Sequence, residues 1–225
     1  MDQLRAGLEF DERSERLAFG SNGRVYSVPV AILPGARGDG QPLTTFVELE
    51  SGTQLVHYFA GAASAWLLLA NSGGYGFLAT VENMVSRQKG GKSFLTLGTG
   101  ETVCRPSPAN IPPPAGAPPG ALHVPATHVC CASTGKRILT FEISELKQMA
   151  NGGRGLMLID LEAKDELAGA AAYTRSVRIV GVGRADKERE EVLEIRSLNN
   201  ARGARGRKGK AADLGFKPLG VQRVE

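Results

Sequence analysis

One pattern recurs four times along this chain of 225 residues and constrains its fold more than any other feature. Each copy is an apolar strand and a short turn that ends at a large aliphatic residue, followed by a loop of glycines and cations. The aliphatic anchors are Ile32, Met84, Leu146 and Leu198, so the intervals between them are 52, 62 and 52 residues. A period near this length, built from short strands, is typical of propeller-like arrays.

The longer middle interval contains a proline-rich segment, residues 105–120. Proline has no amide hydrogen to donate to a strand ladder, so we interpret this segment as a loop insertion of roughly ten residues. Without the insertion the period is restored. We therefore expect residues 1–225 to form a single domain.

Tight turns separate pairs of strand candidates in the copies. Asn22-Gly23 lies between two apolar stretches, and Asn-Gly favours a two-residue hairpin because both positions need positive φ. Further hairpins are predicted over residues 66–81, 127–139 and 176–195, with the charged run 186–191 taken as strand rather than helix. Other strand candidates directly follow the glycine-cation loops, and these are residues 45–49, 93–97 and 156–159. With about four strands in each copy, the sequence predicts an all-β ring of four to five four-stranded antiparallel blades, with five preferred.

The composition excludes several classes of protein. Apolar residues make up 42% of the chain, which is enough for a packed core. No apolar run reaches the roughly 18 residues that a membrane span requires, and the first residues contain no apolar signal region, so we expect a cytoplasmic protein. Cys104, Cys130 and Cys131 fit neither a zinc spacing nor a disulfide framework, and we expect no metal and no cofactor.

Two segments resemble enzyme motifs but lack essential residues. Gly90-Gly91-Lys92-Ser93 is like the end of a phosphate-binding loop, but Ser86 stands where that loop needs its first glycine. Gly181-Val182-Gly183 is like a dinucleotide fingerprint, but Asp186 takes the place of the third glycine. We predict no catalytic residue in this chain.

The distribution of charge is more informative than the net charge of +4. Six cations and one carboxylate lie between Arg202 and Lys217, and cations recur beside glycines in each copy. Cations attract phosphates without regard to base sequence, and glycines allow the backbone to approach closely. The candidate DNA-contacting residues are Arg37, Arg87, Lys89, Lys92, Lys136, Arg137, Arg154, Arg205, Arg207, Lys208 and Lys210.

The order, spacing and turn residues of several motifs together resemble one family. The motifs are Ser21–Tyr26, Ala36–Leu43, Gly74–Phe77, Lys89–Lys92 and Arg205–Gly209. From about Leu4 to Val224 the chain resembles the C-terminal domain of the A subunit of bacterial topoisomerase IV, a relative of the C-terminal domain of the gyrase A subunit.

This resemblance implies a β-pinwheel, which is a propeller-shaped array with strands exchanged between blades and a basic outer rim that bends DNA. It implies a non-catalytic domain that binds duplex DNA largely independently of sequence and positions the transported duplex for decatenation and relaxation. The implied partners are the rest of the A subunit, together with the B subunit of an ATP-dependent type II enzyme, in the cytoplasm with the nucleoid. None of Tyr26, Tyr58, Tyr75 and Tyr173 is assigned as the family's nucleophile.

One departure from the gyrase pattern bears on mechanism. Gyrase carries the box Gln-Arg-Arg-Gly-Gly-Lys-Gly, and the nearest match here is the degenerate Arg87–Ser93 in an interior repeat. The resemblance therefore implies bending of DNA rather than complete wrapping. The same repeat is also compatible with an alternative function, a propeller-type platform for protein interactions that does not bind DNA.

Overall fold

The computed structural model describes residues 15–28, 42–110 and 126–224, and in these ranges the chain is almost entirely β-structure. The strands are β1 (Glu15–Gly20), β2 (Arg24–Ser27), β3 (Leu55–Gly61), β4 (Trp66–Ala70), β5 (Tyr75–Thr80), β6 (Lys92–Ser93), β7 (Ser107–Asn110), β8 (His128–Ser133), β9 (Arg137–Glu142), β10 (Leu156–Met157), β11 (Leu167–Tyr173), β12 (Ser176–Val182), β13 (Glu188–Glu194), β14 (Lys210–Ala211) and β15 (Lys217–Val224). Two short helices, α1 (Val81–Met84) and α2 (Ile195–Asn200), and 3₁₀ turns at Leu43–Thr45, Ile143–Glu145 and Arg184–Asp186 complete the elements. None of the helices in these ranges is both long and apolar enough to cross a bilayer.

The strands form four antiparallel sheets. Their strand orders are β3-β1-β2-β6, β10-β5-β4-β7, β11-β8-β9-β14 and β13-β12-β15, and they are called here the first to fourth sheets. Each sheet is built on one hairpin, and the predicted hairpins are confirmed: β1–β2, β4–β5, β8–β9 and β12–β13 all pair antiparallel. The predicted all-β, propeller-like architecture is therefore the one observed.

One strand of each of the first three sheets comes from the next repeat along the chain. The strand β6 follows the β4–β5 hairpin but pairs with β2, β10 follows β8–β9 but pairs with β5, and β14 follows β12–β13 but pairs with β9. These three are called the exchanged strands. Strand exchange of this kind, which the resemblance implied, ties each sheet to its neighbour by main-chain hydrogen bonds.

The exchanged strands lie on the outer side of the array. At the opposite ends of the first three sheets are β3, β7 and β11, and β15 lies at the corresponding end of the fourth sheet. The strand β11 contacts both β7 and β15. The strand β11 can approach its neighbours closely because it is alanine-rich, with the sequence Leu-Ala-Gly-Ala-Ala-Ala-Tyr. The ends of the second, third and fourth sheets formed by β7, β11 and β15 therefore face the centre, and the exchanged strands β6, β10 and β14 form outer edges.

Apolar cores fill the spaces between successive sheets. Side chains alternate along a strand, so Leu67 and Leu69 of β4 pack towards the first sheet while Leu68 and Ala70 pack towards the third. A third core, which includes Ile138 and Ile179, joins the third and fourth sheets. Because the central strands are covered on both faces, they are continuous apolar runs rather than alternating ones.

The preference for five blades is wrong for the residues that the structure describes. Four sheets are present in the described ranges, which agrees with the prediction of four to five blades but not with the preference for five. The partial copies at the two ends do not combine into an additional sheet there. Instead β1–β3 accept β6 to complete the first sheet, and β15 completes the fourth with only three strands.

Several predicted strand boundaries are wrong. Residues 45–49 form no strand, because the chain makes a 3₁₀ turn and then buries Val47 against the first sheet. The predicted strands at 93–97 and 156–159 are reduced to the two-residue strands β6 and β10. In both, the next residue, Phe94 or Leu158, turns inward to fill a core between sheets, which ends the pairing.

The interpretation of the proline-rich segment 105–120 as a loop insertion is wrong for part of its length. Its residues Ser107–Asn110 form β7 and pair with β4, so they are not part of a loop. Pro108 is tolerated because β7 is an edge strand and its register shifts beside that proline. The rest of the segment, from residue 111, lies outside the described residues.

Candidate nucleic-acid interface

Three glycine loops lead into the exchanged strands at the outer edge. They are residues 87–91 before β6, residues 151–155 before β10 and residues 205–209 before β14, called here the first, second and third glycine loops. Gly91 has φ 64° and Gly209 has φ 71°, and a Cβ on either would lie 2.6 Å from a carbonyl oxygen of the adjacent hairpin strand. The turn into the exchanged strand therefore requires glycine at both positions.

The three loops occupy equivalent places in the array. The carbonyl oxygens of Lys89, Gly153 and Arg207 accept hydrogen bonds of 2.9, 2.9 and 3.1 Å. The donors are the backbone N–H groups of Glu48, Thr96 and Asp160, which lie in the corresponding segments of successive repeats. The loops thus follow one another along the outer side, as the recurrence in the sequence predicted.

Ten of the eleven candidate DNA-contacting cations lie in the described ranges, and five of these are exposed. Within the described part of the chain, the side chains of these five have neither an ion pair nor a hydrogen-bond partner. In the first glycine loop these are Arg87 and Lys89, and at the third they are Arg207, Lys208 and Lys210. The second glycine loop contributes none. The free candidate cations therefore lie at two places along the outer edge, the first and third glycine loops.

Three other candidates use their charged groups inside the protein. Lys92 Nζ donates to the carbonyl of Asn83 at 2.9 Å and lies 5.4 Å from the centre of the Phe94 ring. Lys136 Nζ donates to the carbonyl of Leu214 at 2.7 Å. Arg205 donates from Nε to the carbonyl of Glu145 at 3.1 Å and from Nη1 to the carbonyl of Met157 at 2.6 Å. These side chains hold loops together rather than project freely from them.

Arg154 and Arg137 are paired with carboxylates. Arg154 forms two hydrogen bonds with Glu101, one of them 3.0 Å long, and its guanidinium lies 4.3 Å from the centre of the Tyr75 ring. The hydrogen bonds to Glu101 raise the pKa of Arg154 above its ordinary value. Arg137 Nη2 lies 2.7 Å from Glu162 Oε1, and its Nη1 donates to the carbonyl of Gly209 at 3.3 Å.

A third pair of this kind, which was not predicted from the sequence, lies in the first sheet. Arg24 lies 3.2 Å from Glu50 and donates to the carbonyls of Gly90 at 2.9 Å and Gly91 at 3.1 Å. These three groups of side chains are called here clamps. The first clamp is Arg24–Glu50, the second is Tyr75–Arg154–Glu101 and the third is Arg137–Glu162. Each joins the start of a hairpin strand, a glycine loop and the segment that leads to an inner strand.

A regular spacing in the sequence was the signal that could have revealed the clamps. Arg24, Tyr75 and Arg137 each begin the second strand of a hairpin. The glutamates follow them by 26, 26 and 25 residues, respectively.

The remaining candidate DNA-contacting residue, Arg37, lies outside the described residues.

The fourth sheet presents the opposite charge at its outer edge. Its outer strand β13 contains four exposed glutamates, and within the described ranges no exchanged strand pairs with it. One of them, Glu190, lies 3.6 Å from Arg178 of β12. An acidic edge repels phosphates, so the basic places of the first and third sheets are not continued here.

Burial holds several thiol and phenol side chains in their protonated forms. Burial raises the pKa of the Cys104 and Cys130 thiols to about 12. The pKa of Tyr173 is also raised to about 12, and burial is the largest cause. His128 Nε2 accepts from Arg202, and its pKa is lowered by burial and then by that arginine. In the described part of the chain, no three His, Cys, Asp or Glu side chains are grouped as metal ligands.

The geometry defines the class of protein: antiparallel sheets linked by exchanged outer strands, with glycine loops along the outer side, form a β-pinwheel. Comparison with known proteins then specifies the family. The family described as DNA gyrase C-terminal domain, beta-propeller, matches residues 127–173. The chain belongs to the family of C-terminal domains found in the A subunits of gyrase and topoisomerase IV.

Individual relatives agree with this assignment. The A subunit of DNA topoisomerase 4 from Neisseria gonorrhoeae is 34% identical over 199 residues, which are 86% of this chain and 24% of that protein. The corresponding protein of Escherichia coli K12 is 27% identical over 168 residues, which are 75% of this chain and 20% of that protein. The chain thus spans about a quarter or less of the relatives it matches.

A solved structure shows the same fold. The structure of the E. coli ParC C-terminal domain superposes with a TM-score of 0.76 at 25% sequence identity. The match covers 96% of this chain and 86% of that one. Since the matches fall within the C-terminal domain of the A subunit, the chain corresponds to a type IIA topoisomerase C-terminal domain.

Proposed function

We propose that this domain binds duplex DNA across its first and third glycine loops and bends it. The observation that carries the proposal is the pair of basic places at the outer edge, where the unpaired cations Arg87, Lys89, Arg207, Lys208 and Lys210 lie beside glycines. Cations on a glycine-rich backbone bind phosphates by charge and by N–H donation together. A duplex held at two separated places on a curved edge bends between them.

The arrangement supports partial contact rather than complete wrapping. The second glycine loop has no free cation, and the acidic β13 opposes a duplex at the fourth sheet. Bases are not read, because the described ranges offer neither a recognition helix nor a zinc finger for the major groove. Selectivity arises instead from how easily a given duplex bends.

The domain serves a larger enzyme in this proposal. The relatives are named as subunits of topoisomerase 4, and the chain corresponds to a small part of each of them. The domain would present a transported duplex to the rest of the A subunit, together with the B subunit, for ATP-dependent decatenation and relaxation in the cytoplasm with the nucleoid. In this proposal the domain contributes no catalytic residue and uses no cofactor.

The remaining candidates have an indirect role in this proposal. Lys92, Lys136, Arg137, Arg154 and Arg205 stabilise the loops through the protein contacts described above. The side chains of Lys92, Lys136 and Arg205 bond carbonyl oxygens, so their charge still adds to the positive potential of the outer edge. Arg137 and Arg154 are paired with carboxylates and add no net charge. Direct phosphate contact is assigned to the five unpaired cations.

A salt titration tests the proposal. If five phosphates are contacted, a plot of log affinity against log salt concentration has a slope of about −4.5. Replacing Arg207, Lys208 and Lys210 together with glutamine lowers the affinity for all duplex sequences alike and reduces the slope by about 3. A flat salt response, or affinity that is negligible at physiological salt, overturns DNA binding and favours the protein-interaction platform.

A further inference from the structure

The clamps differ in which element supplies the cation. In the second clamp the glycine loop supplies its own arginine, Arg154, and the hairpin strand supplies an aromatic ring, Tyr75. In the first and third clamps the hairpin strand supplies the guanidinium, from Arg24 and Arg137. The two loops with free cations are the two whose clamp cation comes from the hairpin.

This correlation has a physical reason. A glycine-rich loop has high conformational entropy and needs a fixed donor to hold its carbonyl groups in one arrangement. When the hairpin provides that donor, the cations of the loop remain available to a ligand. The forked guanidinium suits the task, since it can bond a carbonyl and a carboxylate at once, whereas an ammonium group cannot match that geometry.

We propose that Arg24 and Arg137 are positioning residues that hold the first and third glycine loops in the conformation that presents their free cations to DNA. The inference rests on the proposed function and adds the residues that pre-organise the site. Arg24 bonds Gly90 and Gly91, directly after Lys89, and Arg137 bonds Gly209, between Lys208 and Lys210. Glu50 and Glu162 orient the two guanidinium groups.

Two variants that keep the charge, Arg24→Lys and Arg137→Lys, provide the test. Each loses the fork, so the loop must be ordered during binding and duplex affinity falls about threefold to tenfold. The slope against salt stays that of the wild type, because the free cations still meet the same phosphates. Amide hydrogen exchange in the absence of DNA becomes faster at residues 87–91 in the first variant and at 205–209 in the second.

Arg178→Lys is the matched control. Arg178 also lies close to a glutamate of a neighbouring strand, but it contacts no glycine loop, so its replacement leaves affinity and loop exchange unchanged. Affinity equal to that of the wild type in both Arg24→Lys and Arg137→Lys overturns the inference. A slope reduced by about 0.9 in Arg137→Gln also overturns it, because that result makes Arg137 a direct phosphate contact.

Glu162→Ala separates the alternatives without changing an arginine. If Glu162 only neutralises Arg137, removing it frees a cation and tightens DNA binding. If it orients the clamp, affinity does not rise and exchange at residues 205–209 becomes faster. The proposed function fails separately: a wild-type domain that binds no DNA contradicts it, whereas normal wild-type binding with tighter binding by Glu162→Ala contradicts only the clamp inference.

Discussion

At the scale of single residues, local backbone geometry and hydrogen bonds decide how the outer edge is built. Gly209 shows the backbone requirement, since its φ of 71° combines with a close approach to the carbonyl of Ile138. Asp165 shows the hydrogen-bond requirement, because it ties the turn of the third hairpin to the start of β11. Its Oδ1 accepts from Thr134 Oγ1 at 2.7 Å, from the N–H of Gly135 at 2.7 Å and from that of Glu166 at 2.9 Å.

Gly209→Ala should destabilise the domain by about 2–4 kcal/mol, since a positive φ and a steric clash both oppose a Cβ. Gly52→Ala is the matched control, because Gly52 has φ 78° but a Cβ at this position would have nothing within 4 Å. The control should cost only about 1 kcal/mol. Denaturant unfolding of both variants measures the difference, and equal losses would show that the carbonyl of Ile138 moves aside.

Asp165→Asn should lower the free energy of unfolding at pH 7 by about 1 kcal/mol. Burial opposes the charge of Asp165, but hydrogen bonds from Ser133, Thr134 and backbone N–H groups outweigh it, so the pKa of this carboxyl is below its ordinary value. A carboxyl whose pKa is lower in the folded state stabilises above its unfolded pKa of about 3.9, and the contribution is lost as the pH falls through the folded value.

The measurement is denaturant unfolding of the wild type and Asp165→Asn between pH 7 and pH 3. The difference in unfolding free energy should be constant near neutral pH and shrink at the acid end. Asp213→Asn, at an exposed position, serves as the control for the loss of one negative charge. A difference between Asp165→Asn and wild type that grows towards acid would contradict the assignment.

At the scale of elements, alternation of side chains decides which residues of a strand matter. In the inner strand β15, Val221 is 4% exposed and packs in the core between the third and fourth sheets, whereas Leu219 is 54% exposed. The strand also contacts β11 of the third sheet. Burial in β15 therefore joins two sheets, while its exposed positions contribute little.

Val221→Ala should lower the free energy of unfolding by about 2 kcal/mol, because two buried methyl groups are lost from a packed core. Leu219→Ala removes more atoms from the same strand, but from an exposed side chain, and should change stability by less than about 0.5 kcal/mol. Thermal or denaturant unfolding compares the two. Similar losses would mean that both faces of β15 are covered.

At the scale of the whole molecule, the order of charged edges decides how a duplex can follow the surface. The free candidate cations lie at the outer edges of the first and third sheets, the arginine of the second glycine loop is paired with Glu101, and the outer strand of the fourth sheet carries exposed glutamates. In the proposed function, the two separated places attach the duplex and together bend it, and each is necessary for the bend. On that proposal, loss of either place should leave a duplex that is bound but straight.

Replacing Arg87 and Lys89 with glutamine should weaken binding, reduce the slope against salt by about 2 and abolish the bend. The mobility of small DNA circles in the presence of the domain reports the bend. The control replaces Arg105 and Lys217 with glutamine and so changes the net charge equally. Both are exposed cations on the inner side: Arg105 lies just before β7, and Lys217 begins β15. A bend that survives the loss of Arg87 and Lys89 would place the contacts elsewhere.

The sequence by itself was sufficient for the repeat, the hairpins and the loops. Turn residues such as Asn22-Gly23 and the glycine-cation loops act over a few neighbouring residues, so their signals are legible in a linear chain. The apolar runs likewise predicted the central strands. The charged run 186–191 was expected to be strand rather than helix because its flank aligns with residues 139–146 of the preceding repeat, and residues 188–191 do belong to β13.

Only the tertiary structure decided which sheet each exchanged strand joins and which cations remain free. Whether a cation meets a carbonyl or a carboxylate depends on segments that lie far away in sequence: Arg154 meets Glu101, whereas Lys208 meets no carboxylate in the described ranges. A local pattern records that a loop is basic, but it does not record the partners that folding brings within about 3 Å of each charge. That is why the cations that recur beside glycines in each copy of the sequence remain free at only two places in the described ranges.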